Sequence, residues 1–436
     1  MSELKNKKLV VIQVAGLGYD FLGHFNKTKG AGLKFKSIES VFPAVTCSVQ
    51  ASFRTAAQPA EHGMVANGYW SRKLCKPLFW EQSSKLVEGD RIWEGFRGKN
   101  GRVGMMFWQQ SLGENVDLVL SPAPIHKHHG GMIQDCYCHP ADLYKKLCDE
   151  IGEGFKLRNY WGPLANAKVG DWIASATEHV INNNEIAPEL LFVYLPSLDY
   201  DLQRFGLKHV KSQGALEITL KQIDTIVAAS RNHGYETIIF GDYAITETPN
   251  GAVFPNKILS EAGLFKTRSV NGMLYPDLYG SRAFAMVDHQ IEHVYIKDKS
   301  DISTIKDALS ETIGIEKVLD KEAQAEIGVA HCNSGELLII ADEGYWLAYP
   351  WWTEKAERPD YATHVDIHNK PGYDPCELFF GWPPFSVSQN TGRIKGSHGR
   401  AGAGCQTAWA STVDLSDEPT SLIELALGVK NWFNGS

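Results

Sequence analysis

A chain of 436 residues, 43% hydrophobic and 22% charged, carries enough apolar material for a large buried core, and its formal net charge is −8. That acidic balance comes with no basic stripe, which argues against nucleic acid as a partner. No apolar run reaches the roughly 20 residues needed to span a bilayer, so a soluble, cytoplasmic protein without membrane contact is expected, with a homo-oligomer left open. At roughly 100–200 residues per domain, the length implies two or three units, or one large core with an insertion. Eight cysteines in such a chain read as free thiols rather than a disulfide framework.

In chain order, "KLVVIQVAGLG" is the first strand: its apolar run continues to Ala15 and meets a Gly-rich turn, and Gln13 within it argues against a secretory leader. A helix-compatible run follows from Ser48 to Ala56. The stretch from about Gly68 to Val169 is different, rich in Trp (Trp70, Trp80, Trp93, Trp108, Trp161) and poor in periodic segments. It reads as an insertion or cap over residues 68–169, above a core made from 1–67 and 170–436. Most of its aromatics are expected in a satellite core, with one or two lining a pocket. The local group Cys136, Cys138, His139 and Cys148 is a weak zinc signal, lacking a second ligand pair. The tract His126 to Gly130 reads as a solvated loop or a pocket edge.

Leu190–Leu195 of "PELLFVYLPSLDYD" and the run in "YETIIFGDYAITE" are continuously apolar strands, as in a parallel sheet covered on both faces. Between them Leu216, Leu220, Ile223 and Val227 mark one face of a helix that Gly234 terminates. A strand–helix–strand unit places Asp199 and Asp242 on the same sheet edge, the carboxyl-end edge where α/β proteins bind ligands. Further strands are expected in "IEHVYIKD" and "GELLIIADEGYWLAYP". The fold class is therefore α/β, mostly parallel, with helices on both faces.

The segment "VFPAVTCSVQASFRTAAQPAEHGMVANGYW" holds the most chemistry. Thr46 lies just before a helical run, where it either caps the first N–H groups or presents an activated hydroxyl at the positive end of the helix. Phe42-Pro43, Thr46, Pro59, His62-Gly63 and Asn67 resemble, in order and spacing, the nucleophile segment of the alkaline phosphatase superfamily, and most closely its type I phosphodiesterase / nucleotide pyrophosphatase branch. "YLPSLDYDLQRFG", "FGDYAI" and "GSHGR" resemble that family's later metal-binding motifs, so the resemblance covers nearly the whole chain.

The resemblance implies an alkaline-phosphatase-like core and a two-metal phosphoryl-transfer site. Thr46 would be the nucleophile, and Asn67 with the Thr46 N–H would hold a phosphate oxygen. Asp199 and His398 would ligate one divalent cation and Asp242 a second, with zinc, manganese or magnesium as the ion. The departures are as informative: Ala15, Gln203 and Tyr243 stand where the family has an Asp and two His. Neutral Gln and Tyr oxygens hold zinc poorly, so one or two ions are expected, the second in doubt.

Substitute ligands are available in Asp288, His289 and His293, and in His364, Asp366, His368 and Asp374. Asp366 and His368 would share one face of a strand, or belong to a hydrogen-bonded turn. Lys395, Arg400 and Arg204 flank the motifs and are candidate phosphate clamps. Two functions follow. One is a metal-dependent hydrolase of phosphodiester, pyrophosphate or phosphomonoester bonds acting on a small phosphate ester or nucleotide-like molecule. The other is a catalytically impaired relative that binds a phosphorylated ligand. The sulfatase nucleophile pattern C/S-x-P-x-R is absent around Thr46, which counts against sulfate esters.

Overall fold

The computed structural model describes residues 7–128, 131–415 and 417–434. Eight strands build the central sheet. In chain order they are β1 (Leu9–Val14), β2 (Lys36–Ile38), β3 (Val103–Met106), β4 (Leu118–Pro122), β5 (Cys136–His139), β6 (Leu190–Leu195), β7 (Glu236–Gly241) and β8 (Thr407–Ser411). Their spatial order is β5-β4-β3-β6-β1-β7-β8-β2. The five strands from β4 to β7 run parallel; β5 and β8 flank them antiparallel, and β2 pairs antiparallel with β8 at the far edge.

Both β1 and β6 are buried at every position, because helices cover each face of the sheet. Four helices matter below: α1 (Thr46–Thr55), α2 (Val169–Asn182), α3 (Leu198–Phe205) and α4 (Val210–Asn232). On one face Phe53 of α1 stacks on Phe240 of β7, with centroids 4.6 Å apart. On the other, Thr177 of α2 reaches Met106, the register partner of Val193, and α4 packs beside α2. The apolar stripe of α4 is buried as its spacing predicts, and Gly234 follows its end at φ 72°.

The stretch 68–169 contributes to both the sheet and its surroundings. β3, β4 and β5 fall inside that stretch and extend the central sheet, so it is only partly a cap. β3 is four residues long and β4 five, too short to show a period against the surrounding loops. Trp93 and Trp108 join the main core and Trp70 the second, while Trp80 and Trp161 face a cavity.

A second, antiparallel sheet of four strands is ordered Ala283–Asp288, Ile291–Ile296, Leu337–Ala341, Ile315–Leu319. The turn between its first two strands carries His289 at φ 64° and docks on the loop after β7 and the "GSHGR" loop, where the Gln290 N–H donates to the His398 carbonyl (2.8 Å). That contact brings Asp288 and His289 to the active edge of the main sheet. Among the described residues, no helix is long and apolar enough to cross a membrane.

Candidate active site

In register, Val14 of β1 pairs with Leu195 of β6 and Gly241 of β7, so three strand ends are level. Ala15, Asp199 and Asp242 follow those ends. Asp242 is fully buried and its carboxylate accepts three N–H groups. Oδ1 accepts from the Gly16 N–H (3.1 Å) and the Tyr243 N–H (2.9 Å), and Oδ2 accepts from Gln13 Nε2 (3.1 Å). Asp199, in the first turn of α3, accepts at Oδ2 from Gln203 Nε2 (2.8 Å) and from the Tyr243 hydroxyl (3.0 Å). Gln203 Oε1 in turn accepts from the Tyr373 hydroxyl (2.7 Å). Asp199 Oδ1 is buried without a partner. Burial pushes Asp199 up to about 7 and Asp242 up to about 8, against the opposing pull of these hydrogen bonds.

Thr46 is the first residue of α1, and its hydroxyl does not cap the helix. Oγ1 faces the Tyr194 hydroxyl instead, at 3.3 Å. The next N–H, that of Cys47, donates to Asn67 Oδ1 (3.0 Å). Asn67 is itself clamped to Asp288: its N–H donates to Oδ2 (2.7 Å) and Nδ2 to Oδ1 (3.0 Å). His289 Nδ1 donates to the same Asp288 Oδ1 (2.6 Å), and burial pushes Asp288 up to about 6.

Four rings close the floor. Tyr243 lies flat on His398, with centroids 3.4 Å apart and planes 2° from parallel; His398 meets His289 at 3.7 Å, and His289 meets Tyr373 at 3.5 Å. Burial holds both histidines well below the usual imidazole range, so they are neutral. His398 Nδ1 donates to the Ala44 carbonyl (2.9 Å), which leaves Nε2 as an acceptor.

Above this floor opens a cavity of about 690 Å³. Thr46, Tyr194, Asp199, Tyr243, His289 and His398 line its base, while Trp80, Tyr160, Trp161, Met132, Asp366 and His368 belong to its walls. His126 is part of the same wall; His129 and Gly130 of that tract lie outside the described residues.

Of the residues singled out from sequence, Thr46, Asp199, Tyr243 and His398 converge, with Gln203 one layer behind and Asn67 and Asp242 beneath the lining. Asp366 and His368 reach the wall from a turn rather than a strand. Asp366 accepts from the Asn369 amide and His368 Nδ1 donates to the Phe79 carbonyl (3.1 Å). The three candidate clamps are committed elsewhere. Arg204 ties the carbonyls of Gly162, Ala165 and Leu378 together, Arg400 pairs with Glu316 and the Ala341 carbonyl, and Lys395 donates to the Gly392 carbonyl. Tyr194 and Tyr373 were missed. For Tyr194 the signal was a lone hydroxyl in an otherwise apolar strand, beside Gln13 in register.

The sequence model of the type I phosphodiesterase / nucleotide pyrophosphatase family matches residues 9–374. The chain belongs to that family. The family match stops short of His398, which the fold alone brings to the site. A search of curated proteins finds no match. Among solved structures, the chain is similar to phosphonoacetate hydrolase from Sinorhizobium meliloti 1021 in complex with phosphonoformate, with a TM-score of 0.63, 13% identity, and 98% of this chain and 95% of that one covered. It is also similar to murine ectonucleotide pyrophosphatase / phosphodiesterase 5, with a TM-score of 0.59, 13% identity and the same coverage. An inactive form of the murine protein in complex with AMP gives 0.57. At that identity the likeness is one of fold, which is that of the alkaline phosphatase superfamily, whose hydrolases generally depend on divalent metals.

The donor set of this family member does not fit the two-cation arrangement. Among the described residues no group of three or more His, Cys, Asp or Glu side chains is placed to hold a metal ion. Ala15 offers no donor atom, the Gln203 oxygen is taken by Tyr373, and both oxygens of Asp242 accept N–H groups.

Proposed function

We propose that this family member is a hydrolase of small phosphate esters, phosphodiesters included, with Thr46 as its nucleophile. The observation that carries the reading is the placement of the Thr46 hydroxyl at the N-terminus of α1, open to the cavity and in contact with Tyr194. The amide dipoles of α1 favour an anion there, so a phosphoryl group is drawn to the atom that attacks it. Thr46 Oγ would bond to phosphorus as the ester oxygen leaves, its proton passing to a nonbridging oxygen of the phosphoryl group, and water would then cleave the Thr46 phosphoester to release phosphate and restore the hydroxyl. Asp199 faces the same cavity with a free oxygen and, near pH 7, keeps a proton for the leaving group. AMP and phosphonoformate, bound by the similar structures, are the first ligands to try.

A second reading, binding without turnover, is favoured by the three N–H groups that already occupy Asp242. The test is a panel of nitrophenyl mono- and diesters assayed with the wild type and Thr46→Ala, beside thermal shifts with AMP and phosphonoformate. Turnover that vanishes in Thr46→Ala supports the hydrolase. Ligand-induced stabilisation with no Thr46-dependent turnover on any ester supports the binding protein.

A further inference from the structure

Tyr243 bridges the two residues that the family resemblance assigns to one cation. Its hydroxyl donates to Asp199 Oδ2 at 3.0 Å while its ring covers a face of His398 at 3.4 Å. Gln203 supplies the second hydrogen to that same oxygen. A lone pair that faces an N–H or O–H is not available to a cation, which needs it at roughly 2.0–2.2 Å. The second carboxylate is treated alike: Gly16, Tyr243 and Gln13 direct three N–H groups onto Asp242. Five donors thus fall on three of the four carboxylate oxygens, two each on Asp242 Oδ1 and Asp199 Oδ2 and one on Asp242 Oδ2, and Asp199 Oδ1 has none. The residues at the two altered positions with polar side chains, Gln203 and Tyr243, are among those donors, and Ala15 leaves room without adding a further charge.

We propose that this chain has exchanged the cation pair of its family for a fixed array of hydrogen-bond donors, so that it folds and takes its phosphorylated ligand without a divalent metal. The substitutions at 15, 203 and 243 then act as one set: one removes a ligand, and the other two supply the hydrogens that replace the ions.

The experiment is metal analysis of the full chain after dialysis against zinc, manganese or magnesium, with melting temperatures in the presence of chelator and of each ion. The wild type is expected to retain only substoichiometric metal and to melt at the same temperature in every condition. The triple variant Ala15→Asp/Gln203→His/Tyr243→His is expected to gain stoichiometric zinc and a chelator-sensitive melting temperature. Stoichiometric metal in the wild type that is lost in Asp199→Asn or Asp242→Asn overturns the proposal. If the triple variant does not fold, Tyr243→Phe keeps the ring stack and removes the hydroxyl. Tight metal binding by that variant, when the wild type shows none, leaves the proposal standing, because the hydroxyl is then the obstacle, and its absence in both counts the same way through the wild-type result. None of these readouts uses turnover, so a protein inactive on every ester but free of metal refutes the hydrolase reading alone.

Discussion

Asp242→Asn probes the buried carboxyl at its most sensitive point. The ordinary carboxyl value is 3.8 and burial pushes Asp242 up to about 8. Roughly four decades of proton affinity separate the two, at about 1.4 kcal/mol each, so ionising Asp242 inside the fold costs up to about 6 kcal/mol. The sign follows from which state holds the proton. The native state binds it more tightly, so the contribution is fully present below pH 3.8 and is lost as pH rises through about 8. Asparagine has no proton to lose and copies the neutral acid. Its oxygen can keep the Gly16 and Tyr243 N–H groups, and its NH₂ can meet Gln13 Oε1, a buried atom without a partner. Urea unfolding followed by tryptophan fluorescence at pH 5, 7 and 9 should show the variant gaining on the wild type as pH rises, by up to about 4 kcal/mol, because the part of the loss between pH 3.8 and 5 lies below the range. Parallel pH dependences, or a variant that falls further behind at pH 9, would refute the reasoning.

Three other outcomes are expected from the packing. Tyr243→Phe, which leaves Asp199 with one donor fewer, should lower stability by about 1–3 kcal/mol in urea titrations while keeping the fold. Lys370→Met should cost about 3–5 kcal/mol, because the buried ammonium pairs with Asp374 (2.8 Å) and Glu377 (2.7 Å) and its loss strands both carboxylates; Glu377 also holds Trp161 and Asp366 in the cavity wall, so ligand-induced thermal shifts should shrink as well. Gly241→Ala places a methyl 2.3 Å from the Leu17 carbonyl oxygen and should destabilise by about 1–3 kcal/mol in the same assay.

The strand ends that make the site were legible because β1, β6 and β7 are long, apolar and followed by Gly or Asp, and handedness alone makes Asp199 and Asp242 neighbours. β3 and β4 were not, since a few residues without alternation look the same in a strand and a loop. The motif order pointed to Thr46, but where its hydroxyl turns depends on Tyr194, some 150 residues away. The direction of the Tyr243 hydroxyl was likewise invisible, being set by the His398 ring beneath it. Arg400 stands beside a motif, and in the fold Glu316 of the second sheet pairs with its guanidinium. Proximity along the chain says little about which partner a long side chain finds.

The shared network on Asp199 also constrains how such a site could change over generations. Replacing Tyr243 by His alone removes a donor from Asp199, replacing Gln203 alone strands the Tyr373 hydroxyl, and placing an acid at position 15 alone adds a carboxylate beside two that are already buried. Each single change is expected to cost stability while the other two positions stay as they are. The hydrogen-bonded floor therefore couples these positions, and substitutions at them are expected to be non-additive in their effect on stability.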